Sequence, residues 1–117
     1  METLKIKAKT ENMIQYAYVA FRHMPKSERF TLCADMKRSL FRILELEIRA
    51  NYAREQERLA MFRDLDIELD VFRSLMRLAK DLEFLPFQKY ETLSEHVAEV
   101  GRMLGGLIKR AKTGLAQ

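Results

Sequence analysis

The sequence predicts an all-α protein, an up-down antiparallel four-helix bundle in a single domain over residues 1–117. Three observations predict it. Only four Gly and two Pro occur in 117 residues, while hydrophobic residues make up 48% and charged residues 32%. That is a low-breaker, charge-rich composition with enough apolar material for a core. Pro25 and Pro86 are the main punctuation, and the 60 residues between them contain neither Gly nor Pro. Within that span, apolar residues recur at helical spacing.

The first helix is expected over about residues 10–24, after a basic N-terminal arm of about residues 1–9. Met13, Ile14, Tyr16, Ala17, Tyr18, Val19, Ala20 and Phe21 give it too wide an apolar face for one seam. "MPKSERF" breaks it, and Ser27 is the expected N-cap of a second helix over about 27–51. The second helix carries the stripe Cys33, Met36, Leu40, Ile43, Leu44. Phe41, Leu46 and Ile48 spread apolar surface round the rest of it, which predicts an oligomer. Continuing the stripe would cross Glu47, Asn51, Arg54 and Arg58, so a reversal is expected in "ANYAREQE", with Asn51 as a left-handed cap. The third helix, about 57–84, repeats Phe62, Leu65, Leu69, Phe72, Met76, Ala79. "LPFQ" ends it, and the fourth runs over about 87–112 on Leu93, Val97, Val100, Leu104, Leu107 and Ala111. Helices two to four would each span roughly 35–42 Å, and similar lengths with short connections favour antiparallel neighbours.

No apolar run is of membrane-span or signal-peptide length; the longest is Tyr16 to Phe21, against roughly 20 residues for a span. A soluble, cytoplasmic protein with no membrane partner is expected. Cys33, the sole cysteine, excludes an internal disulfide.

Enzymatic readings lack their parts. "GRMLGGLIKRAK" holds three of the four glycines, with Gly101 and Gly106 at P-loop separation. Leu107 and Ile108 stand where the loop needs Lys and Ser/Thr. A di-metal carboxylate bundle needs Glu three residues before His. Here Ala20 precedes His23 and Leu93 precedes His96. Cys33 lies on an apolar stripe, as a small hydrophobe does. Asp64, Asp66, Glu68 and Asp70 have Arg63, Arg73 and Arg77 as neighbours at helical spacing, as on a solvated, ion-paired face. No catalytic residue, metal or other cofactor is expected. Gly101, Gly105 and Gly106 instead read as a helix or subunit packing surface on the fourth helix, because glycine weakens a helix unless something approaches its backbone.

Net charge is +4, with the surplus at the two ends of the chain. Arg38, Arg42 and Arg49 share one helical face, interrupted by Glu45. Arg73, Arg77 and Lys80 share another, and Lys109 and Arg110 open a basic C-terminal end over about 109–117. Three basic stretches in one small domain suggest an electrostatic, salt-sensitive hold on a phosphate backbone.

"PKSERFTLCADMKRSLFRILELEIRANYA" and "LPFQKYETLSEHVAEVGRMLGGLIKR" resemble the accessory variability determinant (Avd) proteins of diversity-generating retroelements. The most specific segments are "RFTL" at 29–32, "YE" at 90–91 and "VGRMLGGLIK" at 100–109. Leu107 departs from the aromatic residue expected after the paired glycines. The resemblance implies a homopentameric barrel of four-helix bundles, prokaryotic or phage-encoded. It implies a non-enzymatic partner of the retroelement reverse transcriptase that supports mutagenic copying of template-repeat RNA into cDNA. Arg38, Arg42, Arg49, Arg73, Arg77, Lys80, Lys109 and Arg110 are then the expected contacts to polymerase and nucleic acid. The alternative is a bundle of the ribosomal RNA intervening-sequence type, binding nucleic acid or acting as a scaffold without a polymerase.

Overall fold

A computed structural model describes residues 2–116, and side chains from 5 to 114. The chain forms α1 (Glu2–Phe21), a short 3-10 turn (Lys26–Glu28), α2 (Leu32–Tyr52), α3 (Glu55–Asp81) and α4 (Phe87–Ala116). No strand occurs among the described residues. Consecutive helices pack on one another and α4 closes back on α1, whereas among the described residues the backbones of α1 and α3, and of α2 and α4, stay apart. The helices therefore stand at the corners of a square, in a rod of 50 × 23 × 20 Å. Lys80 with Tyr90 joins the end of α3 to the start of α4 and Gly114 with Glu55 the end of α4 to the start of α3, so this pair is antiparallel.

The stripes read from sequence form the core. Met13, Met36, Leu40, Ile43, Leu69, Phe72, Leu93, Val100 and Leu104 are completely buried. The expected α3 stripe from Phe62 to Ala79 is buried throughout, and the α4 stripe is buried from Leu93 to Leu107 with Ala111 half-buried. Truncating such a site, as in Leu69→Ala, costs about 2–5 kcal/mol in lost transfer energy and cavity.

Several boundaries differ from the expected ones, and three of the differences have a local reason. The first helix starts at Glu2, not near residue 10. Ile6 and Thr10 extend the Met13, Ala17, Ala20 face by two turns, and both are buried. Alternating lysines in "LKIKAK" mask that continuation in the sequence. Ser27 does not cap α2; it lies inside the 3-10 turn, and α2 begins at Leu32. Asn51 is inside α2 and not left-handed. Ala53 (φ −75°, ψ 155°) and Arg54 (φ −68°, ψ 154°) make the reversal in extended geometry. Arg58 reaches back across it, donating from Nε to the Ala50 carbonyl (3.2 Å) and from Nη2 to the Ala53 carbonyl (3.1 Å). A guanidinium thus satisfies carbonyls that a helix C-terminus leaves open.

The α3 end is where a left-handed residue is needed. Glu83 has φ 64°. Phe84 N–H donates to the Ala79 carbonyl (2.8 Å) and Glu83 N–H to the Lys80 carbonyl (2.9 Å). This is a Schellman motif with glutamate where glycine is usual.

Glu47, expected as a polar break in the α2 stripe, is instead inside the core at 3% exposure. Thr10 Oγ1 of α1 donates to Glu47 Oε2, and Glu47 Oε1 has no partner among the described residues. Burial pushes this carboxyl up to about 8, against the downward pull of the Thr10 hydrogen bond. The unfolded chain ionises near the ordinary 4.5 while the folded one stays protonated, so the folded state binds the extra proton between the two values. Stability from this group is full below pH 4.5 and is lost as pH rises through about 8, by up to about 1.4 kcal/mol per pH unit.

Two outcomes are expected. In Glu47→Gln, denaturant melts between pH 5 and 8 lose most of the downward slope in stability shown by the parent, and the variant is the more stable at pH 8. Glu83→Gly relieves the left-handed strain and raises stability by about 1 kcal/mol, read from the shift in unfolding midpoint.

Candidate basic surfaces

The α2 arginines are exposed but tied to acids of their own helix. Arg38 Nη1 lies 2.6 Å from Asp35 Oδ1. Glu45 Oε2 holds Arg49 Nε at 2.8 Å and Arg42 Nη1 at 2.9 Å. Arg49 first, then Arg42, keeps the Glu45 carboxyl below its ordinary range. The stripe therefore carries three guanidinium groups and two carboxylates, and its net field is weak. Such exposed pairs exchange readily with solvent and contribute little to stability. Arg38 and Arg42 line an α2–α3 groove of about 480 Å³ with Ser39, Glu68, Val71 and Leu75. Ser39 Oγ donates to Glu68 Oε2 at 2.7 Å across it.

The α3 cations face the other flank of that helix. Arg73 and Arg77 line an α3–α4 cleft of about 130 Å³ with Tyr90 and Ser94. Arg73 Nη1 is 3.5 Å from Asp70 Oδ1, a loose pair. Lys80 Nζ lies 4.7 Å from the centre of the Tyr90 ring and 3.3 Å from Asp81 Oδ1. Arg77 has no ion pair among the described residues. The α2 and α3 basic stripes are thus separated by the body of α3. Lys109 and Arg110 are exposed about 12 Å further along α4 than Gly101, so they form a third location.

Gly101, Gly105 and Gly106 of α4 have three different surroundings. A Cβ on Gly101 would stand 2.6 Å from Arg73 Nη2, so this glycine lets the guanidinium lie on the α4 backbone. At Gly105 a Cβ would meet nothing within 4 Å, and at Gly106 only Arg110 Nη2 at 3.9 Å. At Gly105 and Gly106 a Cβ would meet no described atom of another helix within 4 Å, which leaves subunit contact as the packing open to those two positions. The close approach at Gly101 is by a side chain.

A denser cation cluster lies where sequence periodicity does not look. Arg22, Lys26, Arg29 and Lys37 line a cavity of about 310 Å³ at the α1–α2 corner, together with Tyr18 and Phe21. Irregular spacing across a connection hides it from a helical-wheel reading. Its sequence signal is a local charge imbalance: residues 12–34 contain Arg22, Lys26 and Arg29 but only one acid, Glu28. His96, one of two histidines, stacks on Tyr16 at 5.3 Å. Among the described residues no group of His, Cys, Asp and Glu is arranged to hold a metal ion. No helix is long and apolar enough to cross a membrane.

Apolar side chains are exposed on two sides of the bundle. On α3, Ile67, Val71, Leu78 and Leu82 form a stripe about 22 Å long, with Leu75 half-buried beside it. Across the bundle, Tyr18 of α1 and Phe41 and Ile48 of α2 form a second patch, with Tyr18 and Phe41 rings 6.3 Å apart. The expected exposure of Phe41 and Ile48 is present, while Leu40, Ile43 and Leu46 are buried.

No curated protein matches the chain. The family described as bAvd-like matches it over residues 4–111, which spans all four helices. The square of four long helices is consistent with that match, and the chain belongs to this Avd-like family.

Proposed function

We propose that the chain is a non-enzymatic accessory protein of a diversity-generating retroelement. It acts in the cytoplasm of a prokaryote, or of a phage-infected one, by holding a reverse transcriptase and its template RNA or cDNA on basic surfaces. The observation that carries this reading is the Avd-like family match across nearly the whole chain. The mechanism is charge neutralisation and positioning. Arg73, Arg77 and Lys80 are the strongest of the expected contacts, because their ion pairs are longer than those of α2, at 3.5 and 3.3 Å, and Arg77 has none among the described residues. Arg38, Arg42 and Arg49 can engage phosphate once it displaces Asp35 and Glu45. Lys109 and Arg110 offer a separate contact at the bundle end.

Assembly into a homopentamer belongs to the same reading. The α3 stripe and the Phe41, Ile48 patch lie on different sides of the bundle, so each can meet the other on a neighbouring copy. Head-to-tail contacts of that kind close into rings. Gly105 and Gly106, which touch no other helix of their own chain, are available to a neighbouring subunit.

Co-expression with the reverse transcriptase encoded beside it, and its RNA, should yield a complex that survives affinity purification at low salt and dissociates as salt rises. A polymerase that never co-purifies would favour the intervening-sequence alternative. Light scattering should give about five times the 13.8 kDa chain mass. Gly105→Leu should keep or raise the melting temperature of the bundle, since leucine favours helix by up to about 1 kcal/mol over glycine. The same variant should lose assembled mass; an intact pentamer would remove Gly105 from the subunit contact.

A further inference from the structure

We propose that the corner cavity between α1 and α2 is a seat for single-stranded nucleic acid, taking a backbone phosphate against Arg22 and Arg29 and an unpaired base against Tyr18. It rests on the accessory reading only in supposing that the ligand is a nucleic acid.

Four lines of geometry converge on it. The cavity is lined by four cations, Arg22, Lys26, Arg29 and Lys37, and by no carboxylate. None of the four makes an ion pair among the described residues, in contrast to the α2 stripe. Glu28, the nearest acid in sequence, is engaged by Thr31 Oγ1 at 2.7 Å and does not line the cavity. Uncompensated charge of one sign in a concave site focuses the field on an anion.

The walls and size also fit. A volume of about 310 Å³ lies at the lower end of ordinary small-ligand sites, room for about one nucleotide. Phe21 is buried in the wall, while Tyr18 is 36% exposed and carries Lys37 Nζ 4.8 Å from its ring centre. A ring with a cation over it, beside a phosphate site, is the pairing single-strand binders use. Backbone order supports the site as well. Hydrogen bonds from Glu28 to the Pro25 carbonyl (2.9 Å) and from Arg29 to the Lys26 carbonyl (3.1 Å) wind the connection into a turn that brings its cations to one side.

The test is fluorescence anisotropy of a labelled ten-nucleotide oligouridylate with the full chain, over a salt series. The variant pair is Arg22→Glu with Arg29→Glu. The comparison pair, Arg54→Glu with Arg63→Glu, makes the same change in net charge at exposed residues outside any proposed contact. We expect the corner pair to weaken binding at least tenfold more than the comparison pair, and to lower the salt slope by about 1.4. Tyr18→Ala should weaken binding about tenfold while Tyr18→Phe keeps it, with thermal melts confirming that both fold. Equal losses in the two pairs, no binding by the parent chain, or equal affinity for uridine monophosphate and the ten-mer would each overturn the assignment. Co-purification with the reverse transcriptase, run on the same variants, separates the two claims. A retained polymerase complex with an inert corner sinks only the corner; loss of the complex in the parent chain sinks the accessory reading.

Discussion

Everything in this chain hangs on four apolar stripes sharing one core. Each helix has a face wide enough to meet two neighbours, and the residues at the centre, such as Met13, Leu40, Leu69 and Leu104, are completely removed from water. Each helix packs on two neighbours, so no helix can leave without exposing the faces of both. The rest of the molecule follows from what this packing leaves outside. Charges at the flanks pair within their own helices, and apolar residues on the outer faces, such as Phe41 and Ile67, stay exposed.

That division explains why the two halves of the functional surface differ. Along a regular helix, an acid three or four residues from an arginine falls within reach, as Asp35, Glu45 and Asp70 do. The local pairs partly cancel the field before any ligand arrives. At the α1–α2 corner the chain is not regular, few acids are present, and the cations stand together without compensation. Irregular backbone here concentrates charge more effectively than a helical stripe of equal length.

The core was legible in the sequence because burial imposes a period, and the period survives in Phe62 to Ala79 and in Leu93 to Leu107 without help from other elements. The ends were not. Extended Ala53 and Arg54, left-handed Glu83 and the hydrogen bonds of Arg58 depend on neighbours that a local pattern cannot supply. Glu47 reads as a solvent position by residue type, yet it continues the buried stripe because Thr10 meets it from a helix 37 residues away. The basic stripes were correctly placed on helix faces, but their separation by the body of α3 is a property of the square, not of any one helix. The glycines of α4 show the same limit. Of Gly101, Gly105 and Gly106, Gly101 alone has a close neighbour from another helix, and it is Arg73, a residue the charge pattern had assigned to another surface.

The central claim is that these surfaces serve a polymerase and its RNA, and not chemistry of the chain's own. Its most direct test is cDNA synthesis by the neighbouring reverse transcriptase on its template RNA, with and without this chain. The account predicts that full-length cDNA from that template depends on the added chain, and that raising salt abolishes the dependence along with the complex. Equal yield and equal mutation content of the cDNA in both reactions, at salt low enough for binding, would contradict it.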